Sequence, residues 1–525
     1  MFGIPTVTIA KTTVESAASS VTLTVDTSML SFTARHLVVR ANAIHETMDD
    51  GVYFRINGDT GSNYDYQNMV AVGGTETASH NYNGTLIPLW KTDDEANIFG
   101  GGEWLLPDAL STRTHKNIVG TGGQGETYGV WYTLGRWGST AAVTSVTFIL
   151  TGGNFDEGSD FELCVVDENY AIAGAEDILT GSQSSFSQGS ITAGTGNLAC
   201  IANLRTDRVD YMDGAVMEFN SDTTAGNYYS QRFRGAGTGV NAASDTQNSG
   251  FLIPATNSDA NAFGAFVCVV PNYSDGSNDR NSLAMSGALA GSGYSISHAG
   301  YHQMSWNNTA GITTVDLKPN IGSNFVANSM FSFYLIPGDS DDLIERIELA
   351  SDTDTIKFDS IPDTYDHLEI TAYLRLDRSA TSMGNELFVN NDKTAGNHAA
   401  QYMNASDTTV TGAVYTSWPG LVVSTGDTST ANQFAVAVIT AYNYKKTDRH
   451  KHIMITSGYS DQGSTDDRVS LTSKRWKSTS AITVLEIDHD GAFNFMAGST
   501  AELRGISSEI GGLTSVSFIP ETRMF

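Results

Sequence analysis

Proline is scarce in this chain, ten residues in 525, which excludes a proline-rich linker protein. Cysteine is rarer still. Cys164, Cys200 and Cys268 are odd in number, match no zinc-ligand spacing and lie in the apolar contexts FELCVV, NLACIA and AFVCVV. They are expected to be buried free thiols. Positive charge is also short: 29 Lys and Arg stand against 58 Asp and Glu, a formal net charge of −29. A surface that acidic repels phosphate backbones and anionic headgroups, so neither nucleic acid nor membrane is expected as a partner. No apolar run approaches the ~18 residues of a membrane span. The opening MFGIPTVTIAK has no basic region followed by an apolar one, so no secretory signal is expected.

What is present is an internal repeat. Asn-x-Asp occurs at Asn57 and Asp59, Asn220 and Asp222, and Asn390 and Asp392, followed by Asn63, Asn227 and Asn397. Ala-Asn-x-Phe runs from Ala96 to Phe99, Ala260 to Phe263 and Ala431 to Phe434. Trp137, Trp306 and Trp476 come next. Last come Asn154, Phe155 and Ser159; Asn324, Phe325 and Ser329; Asn494, Phe495 and Ser499. Independent markers in one order, three times, define three copies of about 170 residues: 1–177, 178–342 and 343–525.

Each copy reads as strands. HLVVRANAI, HLEITAYLRL and AITVLEIDHD alternate apolar and polar residues, the pattern of half-buried strands. VTSVTFIL, AVAVIT and FVCVV are more continuous and read as inner strands. Asn-Gly-Asp-Thr-Gly at 57–61 is turn chemistry between two strands. EDILTG and DDLIERIEL, near the junctions, are the only segments that suit helical turns. The expected fold is all-β: three tandem antiparallel sandwiches, jelly-roll-like, of eight or more strands each. The linkers are short, so neighbouring domains should touch.

Catalytic signals are thin. Gly120, Gly122 and Gly125 match G-x-G-x-x-G, but TYGVWYTL follows as another strand, so the match reads as a glycine-rich loop and not a nucleotide site. Asp488, Asp490 and Gly491 resemble the start of a calcium loop without its downstream ligands, and read as a strand end and turn. No carboxylate pair stands out for glycoside hydrolysis. The Asn-x-Asp loops carry two readings: side chains that bond their own backbone and hold a turn, or oxygens that ligate calcium or a sugar. The three tryptophans read first as core anchors, with a carbohydrate-stacking platform as the competing reading.

The order His367-Leu368, Arg375 to Asp377, Asn390 to Asn397 and Trp476 to Ser499, with weaker versions in the other copies, resembles a family of tailed-bacteriophage virion structural proteins common in environmental and marine phages. The last strand in that family often ends Leu-Tyr-Gly-Ile, for which the counterparts are Leu503 to Ile506 and Phe333 to Ile336. Copy two departs most, with Asn197 where the others have His. The resemblance implies a virion location and no reaction: no catalytic residue, no cofactor-binding residue and no metal ligand is carried over. It implies other virion proteins of capsid or tail as partners, as an oligomer in the assembled particle. The expected role is capsid decoration or another external appendage. The alternative is a tail adhesin that binds a receptor or host surface glycan. Divergence among the copies points to a different neighbour for each, engaged together by multivalent contact.

Overall fold

A computed structural model describes residues 3–28, 30–45, 51–91, 95–124, 129–172, 177–245, 251–290, 297–417, 420–460, 467–489 and 493–510. The protein is all-β. In the first third of the chain the strands are β1 (Thr6–Thr13), β2 (Ser20–Thr24), β3 (Leu37–Ala43), β4 (Gly51–Ile56), β5 (Tyr64–Val72), β6 (Thr75–Gly84), β7 (Ile87–Lys91), β8 (Gly100–Leu106), β9 (Lys116–Gly123), β10 (Val130–Trp137), β11 (Ser145–Leu150) and β12 (Asp160–Val166). They form an eight-stranded sheet, β1-β12-β3-β8-β9-β10-β5-β6, and a four-stranded sheet, β2-β11-β4-β7, antiparallel throughout. Without β5-β6 and β9-β10 the two sheets are β1-β12-β3-β8 and β2-β11-β4-β7, the jelly-roll order. Two inserted hairpins thus widen one sheet of a jelly roll.

The same strand order occurs twice more, from β13 (Asp177–Ile178) to β24 (Met330–Pro337) and from β25 (Leu343–Glu348) to β36 (Thr500–Ile506). Between the two sheets of each sandwich lies its own apolar core, including Phe54, Trp90, Trp104 and Phe148 in the first, Phe219, Phe266 and Trp306 in the second, and Leu387, Ile439 and Trp476 in the third.

A fourth apolar cluster belongs to no single sandwich. Met69, Leu134, Phe233, Met285, Tyr301, Met403, Tyr442 and Leu471 meet in it, drawn from all three wide sheets. These sheets are therefore buried on both faces. The inserted hairpins lie at its centre: β5, β17 (Tyr228–Ala236) and β29 (His398–Ser406) touch pairwise, and so do β6, β18 (Gly239–Asp245) and β30 (Thr409–Tyr415).

The sandwiches close into a ring. His115 donates its backbone N–H to the Asn261 carbonyl at 3.0 Å, Asp279 to Asn432 at 3.0 Å, and His450 to Asn97 at 2.8 Å. One bond thus runs from first to second, second to third and third to first, with a pseudo-threefold axis through the shared core.

Two expectations change. HLVVRANA and HLEITAYL are not half-buried, since every residue of β3 and of the strand His367–Leu374 is buried. Their polar residues face the seams between sandwiches, where Arg40 bonds Glu103 and Tyr373 donates to the Asp279 carbonyl. Asp177–Ile178 of EDILTG and Leu343–Glu348 of DDLIERIEL are strands, not helical turns, because each pairs with the last strand of its sandwich. Among the described residues the helices are single 3-10 turns at Glu168–Tyr170, Ala225–Asn227 and Ala395–Asn397.

Candidate functional site

The repeated Asn-x-Asp loops lie at matching ends of the three sandwiches and are built alike. Asn57, Asn220 and Asn390 take a left-handed backbone, with φ of 53°, 51° and 52°. Asn57 Oδ1 accepts from the backbone N–H groups of Thr144 (2.7 Å) and Ser145 (3.1 Å), while its Nδ2 donates to the Ala142 carbonyl at 2.8 Å. Asn220 repeats this with Thr313, Thr314 and Gly311, and Asn390 with Thr483, Val484 and Ala481.

The aspartates form a clamp. Asp59 Oδ2 accepts from Trp137 Nε1 at 2.7 Å and Asn63 Nδ2 at 2.8 Å, and its Oδ1 accepts from the Gly61 N–H at 2.8 Å. Asp222 does the same with Trp306, Asn227 and Thr224, and Asp392 with Trp476, Asn397 and Thr394. Burial pushes Asp222 and Asp392 up, but these bonds outweigh it and hold both at about 2. The bond from Trp137, with that from Asn63, lowers Asp59. Carboxylate oxygens taken up by indole, amide and backbone donors are poorly placed to ligate calcium, so the structural reading of these loops holds. The tryptophan rings are 4%, 1% and 4% exposed and offer no stacking platform.

The other markers build the seams. Asn97, Asn261 and Asn432, the Asn of each Ala-Asn-x-Phe, are left-handed (φ 67°, 64° and 68°), and their carbonyls accept the ring-closing bonds. The Phe263 and Phe434 carbonyls accept from Asn117 and Asn281 of the neighbouring sandwich at 2.7 and 2.6 Å. Arg375 grips the third of these loops through the carbonyls of Thr430, Gln433, Asp427 and Ser429, and Arg205 grips the second in the same manner. Asn324 and Asn494 donate to Asp207 and Asp377. Phe155, Phe325 and Phe495 are fully buried.

The seam between the third and first sandwiches is ionic. Glu162 sits 3.1 Å from His367 Nε2 and 3.5 Å from Lys11, and Asp160 binds Arg449 at 2.8 Å and Lys446 at 3.1 Å. Burial alone would raise Glu162, but His367, Arg40 and Lys11 hold it well below the usual carboxylate range. The seam between second and third has a neutral pair where the other has Asp160, Asn272 donating to Thr500 Oγ1 at 2.6 Å, while Glu502, at the place of Glu162, pairs with Arg346 of its own sandwich at 2.6 Å. A cavity of about 480 Å³ opens there, lined by Asn272, Ser274, Ser277, Asn278, Arg346 and Thr500 among others.

The remaining sequence candidates scatter. Gly120 and Gly122 are not in the expected glycine-rich loop but on strand β9, where a Cβ would run into Trp104 (2.6 and 2.7 Å), so the glycines make room for a core indole. Gly125 lies outside the described residues. Asp488 ends a strand and pairs with Lys393 at 2.6 Å; Asp490 and Gly491 lie outside the described residues. The three cysteines are free and buried; Cys200 and Cys268 sit opposite each other on paired strands. Among the described residues no group of three or more His, Cys, Asp or Glu is placed to hold a metal.

No family model matches the sequence, and no curated protein matches it. Among solved structures, domains LG4-5 of the mouse laminin α1 chain are 10% identical over 64% of this chain and 90% of that one, with a TM-score of 0.12. The binding domain of botulinum neurotoxin DC in complex with SialylT is 9% identical over 60% and 93%, with a TM-score of 0.14. At such scores the likeness carries no argument.

Sequence reasoning missed the ring. One signal was available. Lys116, Arg280 and Lys451 start equivalent strands, and each is buried with its cation on loop carbonyls. A cation kept at one position beside an apolar run marks loops that must be held in place, here those that meet the next sandwich.

Proposed function

We propose that this chain is a non-catalytic virion protein displayed on the particle surface, a capsid decoration or another external appendage that holds its partner through broad contact. The observation that carries this reading is the ring itself. Three sandwiches are locked around a common core, and the repeated polar loops are spent on holding that architecture. Such a body offers rigid area at low ordering cost, which suits adhesion to an assembly. A second reading, a tail adhesin for a host glycan, draws on the seam cavity of about 480 Å³, lined by amides and hydroxyls together with Asp275, Arg346 and Glu348. The test is to mix purified full-length chain with particles assembled without it, and separately with host surface polysaccharide. Saturable binding to the particles is expected. Binding to the polysaccharide alone would favour the adhesin, and its cleavage would sink the non-catalytic reading.

A further inference from the structure

The two seams that the third sandwich makes are built on one plan and filled differently. The loops that open on Asn272 and Asn443 correspond. Both residues are left-handed, with φ of 49° and 48°. Their backbone N–H groups donate to Asn197 Oδ1 at 3.3 Å and to His367 Nδ1 at 3.0 Å. On the facing walls, Gly498 corresponds to Gly158, with φ of 88° and 89°, and Thr500 opens β36 as Asp160 opens β12. In the third-first seam, charged side chains occupy the space between these walls. Arg449 donates to Asp160 Oδ2 and to the Gly158 carbonyl, both at 2.8 Å, and its guanidinium lies 4.0 Å from the centre of the Phe99 ring. Lys446 reaches Asp160 at 3.1 Å, and Lys445 pairs with Asp366 at 3.3 Å.

In the second-third seam the counterparts are shorter: Asn278 for Arg449, Asp275 for Lys446, Ser274 for Lys445 and Gly196 for Asp366. All four line the cavity of about 480 Å³. The cavity is thus the space that the other seam gives to a guanidinium and two ammonium groups. What the truncation leaves is rich in acceptors. Asp275 is fixed by the Ser277 N–H and by Asn278 Nδ2, both at 2.8 Å. The Gly498 carbonyl, counterpart of the one that Arg449 holds, meets Asn278 Nδ2 only at 3.5 Å. Arg346 is a cation of the lining, but Glu502 takes it at 2.6 Å and Glu348 stands farther from it, at 3.7 Å. Asp275 and Glu348 therefore leave the lining with surplus negative charge.

We propose that this cavity binds a guanidinium group, borne by an arginine side chain of a docking protein or by a free guanidino compound. The occupant takes the volume that Arg449 fills in the third-first seam, with Asp275, Glu348 and the Gly498 carbonyl as its acceptors. A planar fork of donors suits acceptors set apart on two walls better than a point charge does. The chain's net charge of −29 draws cations toward it. A sugar fits less well, because no aromatic ring is among the described residues that line the cavity. The proposal does not rest on the virion reading.

The test is calorimetric titration of the full chain, at low salt, with agmatine and with acetyl-arginine-N-methylamide. Saturable binding of at least one probe to a single site is expected, weakening as salt is added. Binding of the blocked amide assigns the site to a side chain, and binding of agmatine alone assigns it to a free compound. Asp275→Asn combined with Glu348→Gln should weaken binding about tenfold or more. Asn278→Arg combined with Thr500→Asp rebuilds the Arg449–Asp160 pair inside this seam. It should abolish binding in a protein that melts no lower than wild type. Should that variant fail to fold, the charge-removing variant decides alone. Failure of both probes to bind overturns the proposal, and so does wild-type affinity in the charge-removing variant. Equal binding of acetyl-citrulline-N-methylamide, the uncharged isostere, overturns it as well, because the cavity would then not read charge. None of these failures touches the virion reading, which is tested on particles.

Discussion

At the scale of single residues, equivalent positions do different work in the three sandwiches. Lys474 lies where the second sandwich has Met304 and the first has Gly135, each two residues before the clamp tryptophan. It is fully buried, with its ammonium 2.9 Å from His398 Nδ1, and His398 in turn donates to the Asp392 carbonyl at 2.7 Å. Burial pushes Lys474 down to about 7, against the opposing pull of Glu386 and Asp392. Between pH 7 and the unfolded value of 10.5 the unfolded state binds more protons than the folded one, so stability rises with pH across that window. Lys474→Met should therefore stabilise the protein by about 1–3 kcal/mol, most strongly below pH 7, with the gain shrinking toward pH 10.5. Urea midpoints of both proteins at pH 6 and pH 9.5 check this; a gain that does not depend on pH would rule out the buried charge as its source.

At the scale of elements, the jelly roll and its inserted hairpins have separate duties. The core strands enclose the three private cores, whereas β5-β6 and its counterparts build the axis. Gly235, on β17, leaves just enough room for this: a Cβ there would stand 2.7 Å from Met69 Cγ and 3.0 Å from Gln67 Nε2 of the first sandwich. Gln67 also donates across the axis to the Gly237 carbonyl at 2.9 Å. Gly235→Val should overpack the axis and cost about 1–3 kcal/mol, while Gly226→Ala, which meets open space, should not. Thermal melts of the two variants side by side decide it, and equal melting points would contradict the central meeting of the hairpins.

At the scale of the whole molecule, the chain is a ring whose last seam has no covalent link. The third and first sandwiches meet through Glu162, His367, Asp160 and Arg449, and Ile510 bridges to Thr8 beside the amino-terminal strand. A protease site inserted within 173–176 should then cut the chain without releasing the first sandwich, which keeps both of its seams. The two pieces should co-elute at pH 7. Glu162 is held below its unfolded value of 4.5, so its contribution is complete above that value and is lost as the pH falls below it. Acid should therefore part the nicked pieces, while salt, which screens buried pairs weakly, should not. Size-exclusion profiles from pH 7 to pH 3 give the answer, and separation at pH 7 would show that the seams depend on the linker.

Strand content, the repeat and the buried aromatics were legible in the sequence because they are local: two-residue alternation, turn residues and spaced markers depend on near neighbours along the chain. The clamp was half legible, since Asn57, Asp59 and Trp137 recur in order, but only the fold brings an indole 78 residues away onto the carboxylate. Ala-Asn-x-Phe stood out as a marker with no visible purpose, because its carbonyl is used by another sandwich. Arg40 and Tyr373 looked like the solvent face of half-buried strands. Alternation records which residues share a side of a strand, and it does not say whether water or a second sheet covers that side. The tertiary structure alone decided that a second sheet does, because ring closure pairs residues hundreds of positions apart through contacts that leave no periodic trace in the sequence.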